Sequence, residues 1–201
     1  MLKVIDQIEG IDIVGLLKKS EAMMEGHFKL SSGFHSKYYL QCAKLLQYPH
    51  LTDQIVKAGL KKLDANGISS VDTIISPAMG GILFGYMIAY HLKKRMIFTE
   101  RKNEKMELRR GFKIQKGENV LIAEDVITTG GSVKEVIDIC LENKANIKGI
   151  VSLVDRSEDV VFDYPYIFMI KFEIEKYDPK DCPLCKEGIS IDYMGSKKIF
   201  K

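Results

Sequence analysis

The sequence predicts an α/β fold: a doubly wound, mainly parallel five-stranded sheet with a small β-rich hood. Three observations predict it. Short apolar runs near residues 73, 96, 120, 149 and 167 have the length of buried strands. Segments with apolar residues at helical spacing alternate with them. Small-residue turns follow two of these strands, at 76–81 and 128–132, as expected where a parallel strand passes into a helix. With no repeat, low-complexity tract or Pro/Gly/Ser-rich linker in between, residues 1–201 are expected to form one domain.

Taken in order, residues 8–24 fit a helix with Ile13, Leu16 and Leu17 on one face, and Gly26 is placed to end it. Phe28 and Leu30 alternate with polar residues, Ser31–Gly33 reads as a turn, and Tyr38–Cys42 reads as a second short strand. This hairpin, within residues 25–45, is the expected hood, joined by the C-terminal segment. Leu51, Ile55, Val56, Leu60 and Leu63 make an amphipathic helix that stops near Asn66-Gly67. Thr73–Ser76 is a strand, and the turn Pro77-Ala78-Met79-Gly80-Gly81 leads into ILFGYMIAYHL. A helix that is apolar nearly all round is buried in its own core or in a subunit interface. Arg95–Thr99, Gly149–Val154 and Ile167–Phe172 complete the strands. Residues 100–118 are dominated by charge and read as a loop.

The chemistry concentrates in VLIAEDVITTGGS, residues 120–132. An apolar strand leads to two acids, Glu124 and Asp125. Val126 and Ile127 follow, then Thr128, Thr129, Gly130, Gly131 and Ser132, and a helix begins near Gly131. A helix N-terminus with glycines and hydroxyls suits a phosphate. Carboxylates pointing at that phosphate would repel it, but they can accept hydrogen bonds from sugar hydroxyls. A phosphorylated ribose satisfies both halves.

This segment resembles the phosphoribosyl-pyrophosphate (PRPP) motif of the type I phosphoribosyltransferases. Four further segments resemble the orotate phosphoribosyltransferases within that group. The hood carries Ser32, Gly33, Ser36, Tyr38 and Tyr39; Arg101-Lys102-x-x-Lys105 matches a mobile catalytic loop; Ala78, Met79 and Gly80 match a pyrophosphate-contacting turn; and Arg156 ends a strand as the family's orotate-binding arginine does. The resemblance spans roughly residues 25 to 190. It implies transfer of ribose 5-phosphate from PRPP to orotate in pyrimidine (UMP) synthesis, with Mg²⁺ as cofactor. It assigns Arg101, Lys102, Lys105 and Asp125 to catalysis, residues 124–132 with the 78–80 turn to PRPP, and Thr128, Arg156, Tyr38 and Tyr39 to orotate. It also implies a homodimer whose lysine loop reaches the neighbour's site. Ser31 stands where many members have a PRPP-contacting lysine, and Glu107 where many have a histidine. A phosphoribosyltransferase for another base, or a non-catalytic PRPP-sensing regulator, would also keep the 120–132 motif.

Composition sets the remaining bounds. A net charge of +3 argues against nucleic acid, and no apolar run has the length of a membrane span. Acids near the N-terminus point to a cytoplasmic protein. Cys182-x-x-Cys185 supplies two ligands where a structural zinc site needs four, and the four histidines lack ligand-like spacing. No metal ligand is therefore assigned, and the cysteines read as a reduced turn.

Overall fold

The structure is a computed structural model that describes residues 2–68 and 70–193. In chain order the strands are β1 (Leu2–Gln7), β2 (Met23–Lys29), β3 (His35–Leu40), β4 (Thr73–Pro77), β5 (Arg95–Lys102), β6 (Lys105–Leu108), β7 (Asn119–Ile127), β8 (Asn146–Asp155) and β9 (Tyr166–Ile174). The helices are α1 (Ile13–Lys19), α2 (Ala43–Leu46), α3 (Pro49–Ala65), α4 (Gly80–Leu92), α5 (Gly131–Glu142) and α6 (Pro183–Lys186). The main sheet runs β1-β9-β8-β7-β4-β5-β6, and β2-β3 forms a separate hairpin.

The five expected strands are the five parallel ones, β4, β5, β7, β8 and β9. Alternate residues serve opposite faces, as the pleat requires. Ile74, Leu121 and Val151 join Ile55 of α3 and Phe84 and Ile88 of α4 in one core. Ile75, Ile122 and Ile150 join Val133 and Val136 of α5 in the other. Strands buried on both faces read as continuous apolar runs, which made them visible in the sequence.

Two antiparallel edge strands extend this sheet, β1 on β9 and β6 on β5. Five of the six β1 residues are exposed, so the strand leaves no apolar alternation to read. The expected helix over 8–24 is shorter. The Asp12 side chain accepts from the Gly15 amide at 2.8 Å and caps the start. Glu21 adopts a left-handed φ of 54° just past the end. Gly26 therefore lies within β2 rather than at a helix terminus.

The 100–118 stretch is also more ordered than its charge implies. β5 and β6 form a tight hairpin turning at Asn103 and Glu104, both with positive φ. Met106 and Ile114 are buried and anchor the stretch to the α5 face. The Arg110 guanidinium grips Glu100 through two bonds, 2.7 and 2.8 Å.

Candidate active site

The parallel strands β4, β7 and β8 end side by side, and the expected binding residues lie at or just beyond those ends. β7 runs through both acids to Ile127, so Glu124 and Asp125 sit within the strand rather than after it. The turn from Thr128 to Gly130 then delivers the chain to α5. Gly130 is left-handed, with φ 72°, and a Cβ there would meet Val160 and Phe162 at 3.0 and 3.1 Å. Any side chain would be both strained and crowded at that position. No side chain caps α5, so the amides of its first turn stay free for a ligand. With Glu124, the main chain and side chains of residues 126–133 line a polar recess, with Thr128 and Thr129 exposed at its mouth.

The two small-residue turns meet at the acids. A Cβ on Gly80 would collide with the Asp125 carboxylate, and one on Gly81 would lie 2.9 Å from the Ala123 carbonyl and 3.0 Å from Glu124 Oε1. Only glycine lets the 78–81 turn, whose Ala78–Met79 peptide is cis, pass so near β7. Glu124 is buried and accepts from the Asp125 amide at 3.0 Å. Burial, then the neighbouring Asp125 charge, pushes the Glu124 carboxyl up to about 9. Burial also raises Asp125. Two adjacent carboxyls in a poorly hydrated pocket resist ionising together, and a cationic ligand beside them would ease that cost.

Arg156 follows β8. Asp155 holds the local chain by accepting from the Ser157 amide at 2.7 Å, and it pairs with Lys171 at 3.2 Å. The Arg156 amide donates to the Ile127 carbonyl at 2.8 Å, tying the arginine to the end of β7. Its Nε is buried without a hydrogen-bond partner, and among the described residues no carboxylate pairs with the guanidinium. Burial lowers its pKa, opposed by Cys42 and Tyr39 nearby. A buried donor left without a partner is costly unless a ligand completes it. Cys42 carries no expected role, yet its thiol lies close enough to Arg156 and Asp125 for their charges to act on it. Burial first, then the charge of Asp125, raises its thiol well above the ordinary range, and Arg156 opposes that rise.

The hood places its two tyrosines differently. Neighbouring residues of a strand face opposite sides. Tyr38 packs against the main core, while the Tyr39 ring meets Phe28 at 5.7 Å and lies near enough to Arg156 to act on its charge. The hood also holds His27 and His35 against Cys182 and Cys185, a grouping that sequence spacing missed because two distant segments build it.

The cationic hairpin stands apart from the recess. Lys102 and Lys105 face each other across β5 and β6, both exposed. Arg101 is engaged by Glu135 of α5 at 2.7 Å and by the Glu104 carbonyl, so it does not point freely at a ligand. On α4, Leu83, Tyr86 and Tyr90 are exposed along one face, continued by Met79 before the helix. The expectation that this helix is buried or at an interface thus resolves into one packed face and one bare apolar face.

Comparison with known proteins agrees with this arrangement. Residues 46–184 match the family model described as the phosphoribosyl transferase domain. The chain is 47% identical over 188 residues to the orotate phosphoribosyltransferase of Thermotoga maritima, covering 92% of this chain and 97% of that protein. It is also 47% identical over 187 residues to that of Caldicellulosiruptor saccharolyticus, covering 92% and 96%. The crystal structure of orotate phosphoribosyltransferase from Aeropyrum pernix superposes with a TM-score of 0.64 at 22% identity, over 90% of this chain and 92% of that one. An adenine phosphoribosyltransferase from Saccharomyces cerevisiae superposes at 0.61 and 18% identity, covering 78% and 99%. The fold is therefore shared across base specificities, whereas the close sequence relationship is to one of them: this chain belongs to the orotate phosphoribosyltransferases.

Proposed function

We propose that this chain transfers the ribose 5-phosphate of PRPP to orotate, releasing pyrophosphate and forming orotidine 5-phosphate in pyrimidine synthesis. The observation that carries the choice of base is Arg156, a half-buried guanidinium whose Nε is buried without a partner and which no carboxylate of the described residues pairs with. Its planar fork suits the orotate carboxylate bidentately. Adenine and uracil lack that group. Tyr39, near Arg156, and Thr128, at the mouth of the recess, complete the base side.

In this reading the 5-phosphate sits on the free amides of the α5 N-terminus and the hydroxyls of Thr129 and Ser132. Glu124 and Asp125 accept from the ribose hydroxyls. As the C1–oxygen bond to pyrophosphate breaks and the C1–nitrogen bond to orotate forms, positive charge develops on the sugar. An ionised Asp125 stabilises that charge more than it stabilises the ground state. The Ala78–Gly80 backbone and the Lys102 and Lys105 ammonium groups receive the pyrophosphate.

The oxygen-rich surroundings of Glu124 and Asp125 fit Mg²⁺, which prefers hard oxygen donors and keeps several waters. When bound with PRPP it would neutralise the diphosphate and ease its departure. The bare face of α4 supports a homodimer in which the β5–β6 hairpin of one subunit serves the recess of the other. Among the described residues no helix is long and apolar enough to cross a membrane; the reaction we propose is a cytoplasmic one.

The direct test follows orotate absorbance with PRPP and Mg²⁺, with adenine, hypoxanthine and uracil as competing bases. Orotate should be consumed and the others left. Turnover of adenine, hypoxanthine or uracil at a comparable rate would remove Arg156 from base selection.

A further inference from the structure

We propose that His27, His35, Cys182 and Cys185 bind one structural Zn²⁺ that fastens the C-terminal segment to the hood. The four ligand atoms lie within 4.8 Å of one another. His27 Nε2 is 2.9 Å from His35 Nδ1, 3.6 Å from Cys182 Sγ and 3.8 Å from Cys185 Sγ, and Cys185 Sγ is 3.4 Å from His35 Nδ1. Around tetrahedral zinc, nitrogen and sulfur ligands at about 2.0 and 2.3 Å from the metal stand roughly 3.3–3.8 Å apart. The observed separations bracket that range, so small adjustments suffice to admit the ion.

The surroundings favour a metal over a hydrogen-bond network. His27 Nδ1 lies 2.8 Å from the Ile189 carbonyl, which cannot donate, so Nδ1 carries the proton. The lone pair of Nε2 is thereby turned toward His35 and the two sulfurs, as outer hydrogen bonds to ligand histidines commonly arrange. One proton on His35 Nδ1 could satisfy the contact between the rings but would leave both sulfurs with only weak contacts. Both histidines and Cys182 are buried, and all four cysteines of the chain are free thiols. Two thiols and two imidazoles make a closed set of four, the structural zinc pattern, with no position left for substrate. Thiolates disfavour Mg²⁺ and select a softer ion. Binding would deprotonate both thiols, leaving a neutral Zn(Cys)₂(His)₂ unit and releasing two protons.

The topology gives the clip its purpose. His27 and His35 lie on β2 and β3, while Cys182 and Cys185 flank Pro183-Leu184 at α6. The hood carries Tyr39 toward Arg156, so fixing it to the tail would fix one wall of the base side.

The test is metal analysis of the full chain expressed with zinc and purified without chelator. The expected result is one zinc per chain. Titration with Co²⁺ after zinc removal should give the ligand-field and thiolate charge-transfer bands of a tetrahedral site. The Cys182→Ser/Cys185→Ser double variant should fall below about one zinc in ten chains. If that variant fails to fold, chelator treatment of the unaltered chain replaces it: the melting temperature should drop and return with Zn²⁺. Wild-type protein without zinc, a double variant that keeps its zinc, or a Cys182–Cys185 disulfide in protein isolated under reducing conditions would each overturn the proposal. None of these readouts depends on orotate turnover.

Discussion

The recess at the end of β7 and the cationic β5–β6 hairpin bear opposite physical signatures. At the recess, Glu124 is buried and Gly80 and Gly81 press against the acids, and Arg156 is tied to the end of β7 by a backbone bond. On the hairpin, Lys102 and Lys105 are exposed and Arg101 is tied by a surface ion pair, a contact worth about 0–1 kcal/mol. The groups proposed to recognise ribose, phosphate and carboxylate are held by the sheet and by close backbone contacts. The lysines proposed to meet the pyrophosphate are instead exposed at the tip of a hairpin that the buried Met106 anchors. Burial and exposure are thus divided within one sheet, β7 and β8 on one side of β4 and the β5–β6 tip on the other.

The largest expected effect is in the recess. Asp125→Asn keeps the size and removes the charge, and turnover should fall about 10²–10³-fold while PRPP affinity changes far less. Equal losses in both, measured by steady-state kinetics and calorimetry, would make Asp125 a binding group only. The hairpin comes next, through subunit exchange. Lys102→Ala and Asp125→Asn chains, each nearly inactive, are dissociated, mixed and reassociated. With random pairing, about a quarter of all sites combine an intact Asp125 with an intact Lys102 from the other chain, and activity should recover to that fraction. No recovery despite exchange confirmed by mass spectrometry would assign each hairpin to its own subunit.

Arg156→Ala should weaken orotate binding by about 1.5–3 kcal/mol, roughly 10- to 150-fold, with PRPP binding unchanged. Intact orotate affinity in calorimetry would contradict the carboxylate assignment. The last prediction concerns stability rather than activity. Between the ordinary carboxyl value of 4.5 and about 9, the folded chain retains a Glu124 proton that the unfolded chain has lost. Its contribution to stability therefore falls as pH rises through that window, by at most about 1.4 kcal/mol per pH unit, and levels off above it. Glu124→Gln should flatten this dependence in urea melts across the window. A slope identical to that of the unaltered chain would show that Glu124 is not the group holding the proton.

The same contrast explains what could be read from sequence. β4, β7 and β8 were legible because burial on both faces demands unbroken apolar runs, and the 120–132 segment because phosphate and sugar each impose their own residue types. β1 was not legible, since an exposed edge strand needs no pattern. The 8–24 helix was overextended because apolar spacing continued past a stop set by the backbone at Glu21. The hairpin looked like loop because its buried Met106 and Ile114 are scattered among charges. Arg156 was found by its place after a strand. Cys42 and the facing of Tyr39 needed coordinates, as did the pairing of His27 and His35 with cysteines about 150 residues away.

The hood has a consequence for the order of assembly. An isolated two-stranded hairpin is marginal in water. Here the open edges of both strands are closed by later chain: His35 exchanges backbone bonds of 2.9 and 2.8 Å with Tyr177, and Asp192 bridges His27 and Lys29 at 2.7 and 3.2 Å. During synthesis β2 and β3 emerge early and wait for those partners while the whole sheet between them is made. The long loop so closed makes this pairing a late event. A chain arrested before residue 177 would carry the β7–α5 recess yet lack the partners that close the hood, so the wall that carries Tyr39 is completed after the recess.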